Sequence, residues 1–186
     1  MNSYVRAAFV VPFGAMKIGW TKLFHLKSFH GPLISMISPL TEISLDRGGS
    51  LKIGKMFKMR DGAKIRVRKG AKCIIGDNTS VSTNSIIACR DSIIIGSNVQ
   101  LSPNVLIYDH DHDFKHPDGL ASNHFKTATV SIGDNVWIGA NTIILRGTSI
   151  GDNCVVGAGC VLKGDYPAGA VIVQKRDTEV LVRDID

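Results

Sequence analysis

The chain has no segment able to cross a lipid bilayer. Its most apolar N-terminal run, Ala7-Ala8-Phe9-Val10-Val11-Pro12-Phe13, is short and broken by Pro12 and Gly14, whereas a spanning helix needs about 20 apolar residues. It also has no small-residue cleavage site after a charged start, so export through a signal peptide is not expected. Cysteine is sparse and unpatterned. Cys73, Cys89, Cys154 and Cys160 form no CxxC or Cys/His ligand spacing, so reduced core or corner residues in a cytoplasmic protein are expected. Acidic residues are missing before Glu42. Residues 1–72 carry 14 Lys and Arg against 3 acidic residues, and residues 73–186 carry 8 against 13, so the formal charge of +6 sits at one end. That asymmetry suits a solvated face, a phosphate-bearing substrate or an anionic membrane surface. No nucleic-acid partner is expected.

The chain is rich in one spacing. Ile132, Ile138, Ile144, Ile150, Val156 and Leu162 stand six residues apart, and a glycine follows Ile132, Ile138, Ile150 and Val156. A period of 3.6 cannot keep every sixth residue on one face, but a strand that turns every six residues can. Upstream, Ile75, Val81 and Ile87 precede Ile95, Leu101 and Ile107, with two extra residues between the triplets. Gly-Asp-Asn recurs at 76–78, 133–135 and 151–153, residue types that turn corners and tolerate left-handed backbone. The pattern predicts a parallel β-helix of stacked coils, with Ile132 over Ile150 and Ile138 over Val156. A β-sandwich does not hold such a strict register.

At 186 residues the chain suits one domain with an appended segment. The expected division is an N-terminal segment at 1–50, a β-helix at 51–165 and a tail at 166–186. Trp20, Leu23 and Phe24 with Lys17, Lys22 and Lys27 predict a short amphipathic helix that packs over the β-helix end or lies on a membrane, making residues 1–30 the candidate for peripheral contact. Lys64, Arg66 and Arg68 alternate with Ile65 and Val67, placing three cations on the outside of one strand.

The register lapses from Tyr108 to Ser131, and this loop holds His110, His112, His116 and His124. A loop of that length in a tight solenoid is usually functional. Its opening, Tyr108-Asp109-His110-Asp111-His112-Asp113, alternates carboxylate and imidazole. Two chemistries use such a set: a general base oriented by a carboxylate, or a histidine metal site.

The segment Ile132-Gly-Asp-Asn-Val-Trp-Ile-Gly-Ala-Asn141, followed by Ile150-Gly-Asp-Asn153 and Val156-Gly-Ala-Gly159, resembles the hexapeptide-repeat acyltransferases, in the branch of maltose, galactoside and polysaccharide O-acetyltransferases. The resemblance covers Ile75 to Leu162, about half of the chain. It implies an all-β, left-handed parallel β-helix of hexapeptide repeats, acetyl-CoA as acyl donor with no metal required, and a homotrimer with sites between subunits. It implies His112 as the base, five residues after Ile107, with Asp109 or Asp111 fixing its tautomer and Ala140 donating a backbone N–H to the oxyanion. Asn84 and His110 fall at acceptor-contacting positions, and Trp137, Gly139, Ala140, Ala158, Gly159 and Lys163 map to the walls of the CoA cleft. A saccharide acceptor in surface-polysaccharide synthesis is expected. Two features depart from the family pattern: residues 171–178 lack the usual Gly-x-Pro-Ala turn, and residues 1–50 do not match the acceptor-binding helices of the maltose and galactoside enzymes. Other uses of the fold are a γ-type carbonic anhydrase-like metalloenzyme, with His110, His112 and His116 as candidate ligands, and a non-catalytic scaffold.

Overall fold

The computed structural model describes residues 3–175 and 179. Short parallel strands wind into a three-faced prism of six full coils and two faces of a seventh. Each face is a stack of strands one coil apart, and one inward side chain per face builds a column. On the third face the column is Ile43, Ile65, Ile87, Ile107, Ile144 and Leu162. Ile132 pairs with Ile150 and Ile138 with Val156, as the spacing predicts. Each fully buried aliphatic side chain in such a column contributes about 1.5–3 kcal/mol.

The Gly-Asp-Asn corners have a specific physical origin. The glycine faces the next coil so closely that a Cβ on Gly76 would lie 2.5 Å from the backbone of Gly96. The aspartate accepts a backbone N–H from the coil below, Asp77 from Lys55 at 2.7 Å and Asp152 from Asp134 at 2.7 Å. The asparagine takes left-handed backbone and extends an amide ladder through Asn78, Asn98, Asn135 and Asn153. A second corner column, Asn84, Asn104 and Asn141, is also left-handed and ends at Gly62 below and Gly159 above.

The prism tapers. Ile53 pairs with Ile75, Ile75 with Ile95, Ile132 with Ile150 and Ile150 with Tyr166, so successive coils shorten from 22 to 20, 18 and 16 residues. The change falls at the corner between the third and first faces, where early strands such as Lys64–Val67 and Lys72–Ile75 are four residues long with two inward side chains. The two extra residues between the upstream triplets are this corner, and the strict six-residue ladder describes only the narrow end. The coils also reach beyond the expected β-helix: strands at Phe29–His30, Met36–Ile37 and Glu42–Leu45 form the first coil inside the segment assigned to 1–50, and Val171–Ile172 pairs with Val155 and Val156 inside the expected tail. Residues 176–178 of the unusual C-terminal segment lie outside the described residues.

Helix α1, Ser3–Phe24, closes the wide end. Ile18 is fully buried there, and Lys17 ties the helix to the first coil by donating to the Thr41 carbonyl at 2.6 Å. The helix is longer than the sequence suggests and packs over the prism, while Trp20, Leu23 and Phe24 stay exposed. All four cysteines are buried and free.

Candidate active site

The break in the ladder is built around one carboxylate. Asp109 is fully buried where the chain leaves the fourth coil, and it accepts the backbone N–H groups of Arg90 at 2.9 and 3.0 Å and of Asp91 at 2.8 Å. One coil below, the matching N–H of Arg68 is taken by the Cys89 carbonyl. At Arg90 the departing chain offers a side-chain carboxylate in its place. Burial pushes the Asp109 pKa up, but hydrogen bonds from His110, the Arg90 and Asp91 N–H groups and the Cys89 thiol outweigh it and hold the carboxyl below its usual range. The same contacts drive the Cys89 thiol the other way: hydrogen bonding to Cys73, burial and the nearby Asp109 charge push its pKa well up. Cys89 is therefore a protonated donor, not a nucleophile.

Beyond Asp109 the base of the loop is a two-stranded ribbon whose strands are joined by turns and a 3-10 helix at Gly119–Ser122. His110–His112 pairs antiparallel with Phe125–Thr127. His110 Nδ1 lies 2.8 Å from Asp109 Oδ1. An ionised carboxylate only accepts, so Nδ1 carries the proton and Nε2 is the acceptor nitrogen of the neutral ring. Two residues further on, His112 is exposed, with its ring 4.4 Å from that of Phe125. Phe125 also meets His110 at 5.5 Å, and the Arg90 guanidinium carbon sits 3.4 Å above its centroid. Arg90 Nε is buried with no hydrogen-bond partner among the described residues.

The remaining charges hold the ribbon in place. Asp111, expected beside the imidazole, pairs instead with Arg146 at 2.6 Å and so ties the ribbon to the fifth coil. Asp113 pairs with Lys126 at 3.0 Å. His116 stacks on His124 at 3.9 Å, away from the His110–Asp109 pair, and no three His, Cys, Asp or Glu side chains converge on a metal position among the described residues.

The second group of expected residues lies on another edge. Trp137 stands outward on the second face, its indole N–H donating to Ser102 Oγ at 3.0 Å. Gly139 is buried beneath the sixth coil, where a Cβ would come within 2.6 Å of the Ala158 nitrogen, so stacking alone requires glycine there. Gly139 and Asn141 donate their N–H groups to Val156 and Pro103, whereas the intervening Ala140 N–H has no partner among the described residues. Ala158 is exposed at this edge and Gly159 donates to the Ala140 carbonyl at 2.7 Å, whereas Lys163, exposed just after the third-face strand Val161–Leu162, lies at the ribbon's edge of that face. Asn84 occupies the same corner two coils below Asn141, exposed and left-handed.

The expected site therefore falls on two edges of one chain, with the width of the third face between them. The ribbon leaves that face at its junction with the first, and Trp137, Ala140 and Asn84 sit by its junction with the second. Sequence reasoning missed Arg90, Phe125 and Arg146. The signal for Arg90 was present in the slipped register between Ile87 and Ile95, which marks the corner that Asp109 fills.

Four similarities to known proteins bear on identity. Residues 129–163 match the hexapeptide repeat of succinyl-transferase. The chain is 33% identical over 132 residues, 67% of each chain, to an Escherichia coli K12 protein named as the lipopolysaccharide biosynthesis O-acetyl transferase WbbJ. It is 34% identical over 102 residues to the galactoside O-acetyltransferase of the same organism, of which it spans 50%. In fold it is similar to AntD, a Bacillus cereus N-acyltransferase solved with dTDP and coenzyme A, with a TM-score of 0.66 at 21% identity over 81% of this chain and 80% of that one. With a β-helix interrupted by a histidine ribbon and this similarity over two thirds of its length, the chain belongs to the hexapeptide-repeat acyltransferases.

Proposed function

We propose that the protein transfers acetyl from acetyl-CoA to a saccharide hydroxyl in the cytoplasm, as a step in surface-polysaccharide synthesis. The observation that carries this reading is the 33% identity, over two thirds of both chains, to a protein named for O-acetyl transfer in lipopolysaccharide biosynthesis. AntD, solved with dTDP and coenzyme A, and the Neisseria gonorrhoeae PglB acetyltransferase domain, solved with acetyl coenzyme A, supply the same donor chemistry on this fold.

In the proposed mechanism His112 is the base. His110 has its Nδ1 committed to Asp109, and Asp109 is itself locked by two backbone N–H groups; this pair acts as a brace that positions the ribbon. His112 is exposed and backed by Phe125, so its ring is open to a substrate. Its neutral imidazole takes the acceptor proton as the hydroxyl oxygen attacks the thioester carbonyl. The oxyanion is met by the Ala140 N–H. Collapse breaks the C–S bond, the CoA sulfur recovers the proton from the imidazolium, and an acetyl ester and free CoA leave. Trp137, Ala158 and Gly159 line the donor cleft, Lys163 approaches it from the ribbon's side, and Asn84 faces the acceptor.

Because ribbon and cleft wall lie on different edges of one chain, the working unit is a homotrimer in which the ribbon of one copy meets the wall of the next. Arg90 shares Phe125 with His112, so the acceptor class is a sugar carrying phosphate, as a nucleotide or lipid-linked sugar does. Release of CoA should be followed with nucleotide sugars, lipid-linked sugars and free glycosides. His112→Ala should lower kcat at least about a hundredfold with CoA binding near normal; an unchanged kcat removes His112 from the mechanism. Arg90→Gln should raise KM more for phosphorylated acceptors than for free glycosides, and an equal rise for both rejects the phosphate contact.

A further inference from the structure

Helix α1 is apolar on two opposite sides, and the prism covers only one. Gly14 and Ile18 face the first coil, with Ile18 fully buried. Phe13, Met16, Trp20, Leu23 and Phe24 form one stripe about 100° wide on the other side, and all five are exposed, Trp20 by 66% and Phe24 by 63%. The rings of Trp20 and Phe24 lie 5.0 Å apart. Leu26 continues the stripe, and the corners of the first coil add Leu33, Ile34 and Leu40. A groove of about 520 Å³ between α1 and the first coil extends the apolar surface past Phe13, Pro39 and Ile43. A helix apolar on two sides needs a cover on both, and an exposed patch of this kind marks an interaction surface.

Charge identifies the cover. No acidic residue precedes Glu42. Glu42 is held by Arg66 at 2.7 Å, and Asp46 lies 3.6 Å from Arg68. Lys17 is occupied with Thr41, but Lys27, Arg47, Lys52, Lys55 and Arg60 are exposed around the same end. A second copy of this chain would bring the same cations against each other. A polyanionic surface with an apolar interior satisfies both features, and no helix of the described residues is long and apolar enough to cross it. We propose that α1 and the corners of the first coil seat the protein on an anionic lipid surface, the helix lying in the interface with Trp20 and Phe24 inserted. This proposal is independent of the acyl-transfer reading and of the residues assigned to it.

Co-sedimentation of the full-length protein with vesicles tests it. Vesicles of three parts phosphatidylglycerol to one part phosphatidylcholine should bind at least about tenfold more tightly than pure phosphatidylcholine, and high salt should remove the difference. Trp20→Ala with Phe24→Ala should weaken that binding at least about tenfold, leaving the sedimentation coefficient and turnover of a soluble acceptor unchanged. Lys27→Glu with Arg47→Glu, both exposed, should weaken binding to the anionic vesicles without altering thermal stability. Equal binding to both vesicle types, or none to either, overturns the proposal. So does an aromatic double variant that changes oligomeric state while vesicle binding is retained, because the stripe would then be covered by another copy.

Discussion

At the scale of single residues, Asp109 matters more than its place in a run of alternating Asp and His suggests. A buried carboxylate is stable only with several donors, and this one has two backbone N–H groups and a histidine. Asp109→Asn keeps the shape but turns one acceptor into a donor facing N–H groups, so it should cost about 2 kcal/mol and lower Tm. The sign with pH follows from the depressed carboxyl. Its folded pKa lies below the unfolded value of about 3.9, so its contribution is complete above that pH and is lost as pH falls through the folded value. Melting curves from pH 6 to pH 3 should show the Asn variant losing less Tm on acidification than wild type. The histidines were legible in the sequence because they sit where the ladder stops. That Asp109 serves His110, and Asp111 serves Arg146, was not legible: residues two apart share a face of a regular strand, but Asp109 is buried at the corner before the ribbon strand begins, and the partner of Asp111 lies 35 residues away.

At the scale of elements, the coils were readable wherever one residue type does one job. Gly-Asp-Asn gives stacking clearance, a carboxylate cap and a left-handed corner, and the narrow end of the prism repeats it strictly. The wide end was less legible because its third-to-first corner holds two extra inward residues, which shifts the ladder by two or four positions. Met56 marks the limit of that regularity: it takes the corner below Asn78 with φ 57°, where the coils above use asparagine. Replacing it with Asn relieves left-handed strain costing about 1–2 kcal/mol in an ordinary residue, so Met56→Asn should raise Tm by a few degrees in thermal denaturation. Gly139→Ala should do the opposite. Its Cβ would meet backbone on the next coil, at a cost of about 1–3 kcal/mol.

At the scale of the whole molecule, the single chain is a rigid prism that separates the two halves of its proposed site. His112 stands on a ribbon at one edge of the third face, and Trp137, Ala140 and Ala158 stand by the other. A repeat pattern reports the contents of a coil but not which edge of a neighbouring copy will meet it, so this separation was legible only in the folded chain. A site shared between chains requires a trimer in sedimentation; a fully active monomer is incompatible with it. A site shared between chains is tested most directly by turnover after co-assembly of two variants, His112→Ala, which lacks the base, and Ala158→Trp, which blocks the donor cleft. Each homotrimer should be inactive, and equal mixing should restore about a quarter of the sites, those pairing an intact ribbon with an intact wall. No activity in the mixed trimers, with both variants folded and assembled, would contradict a site shared between chains.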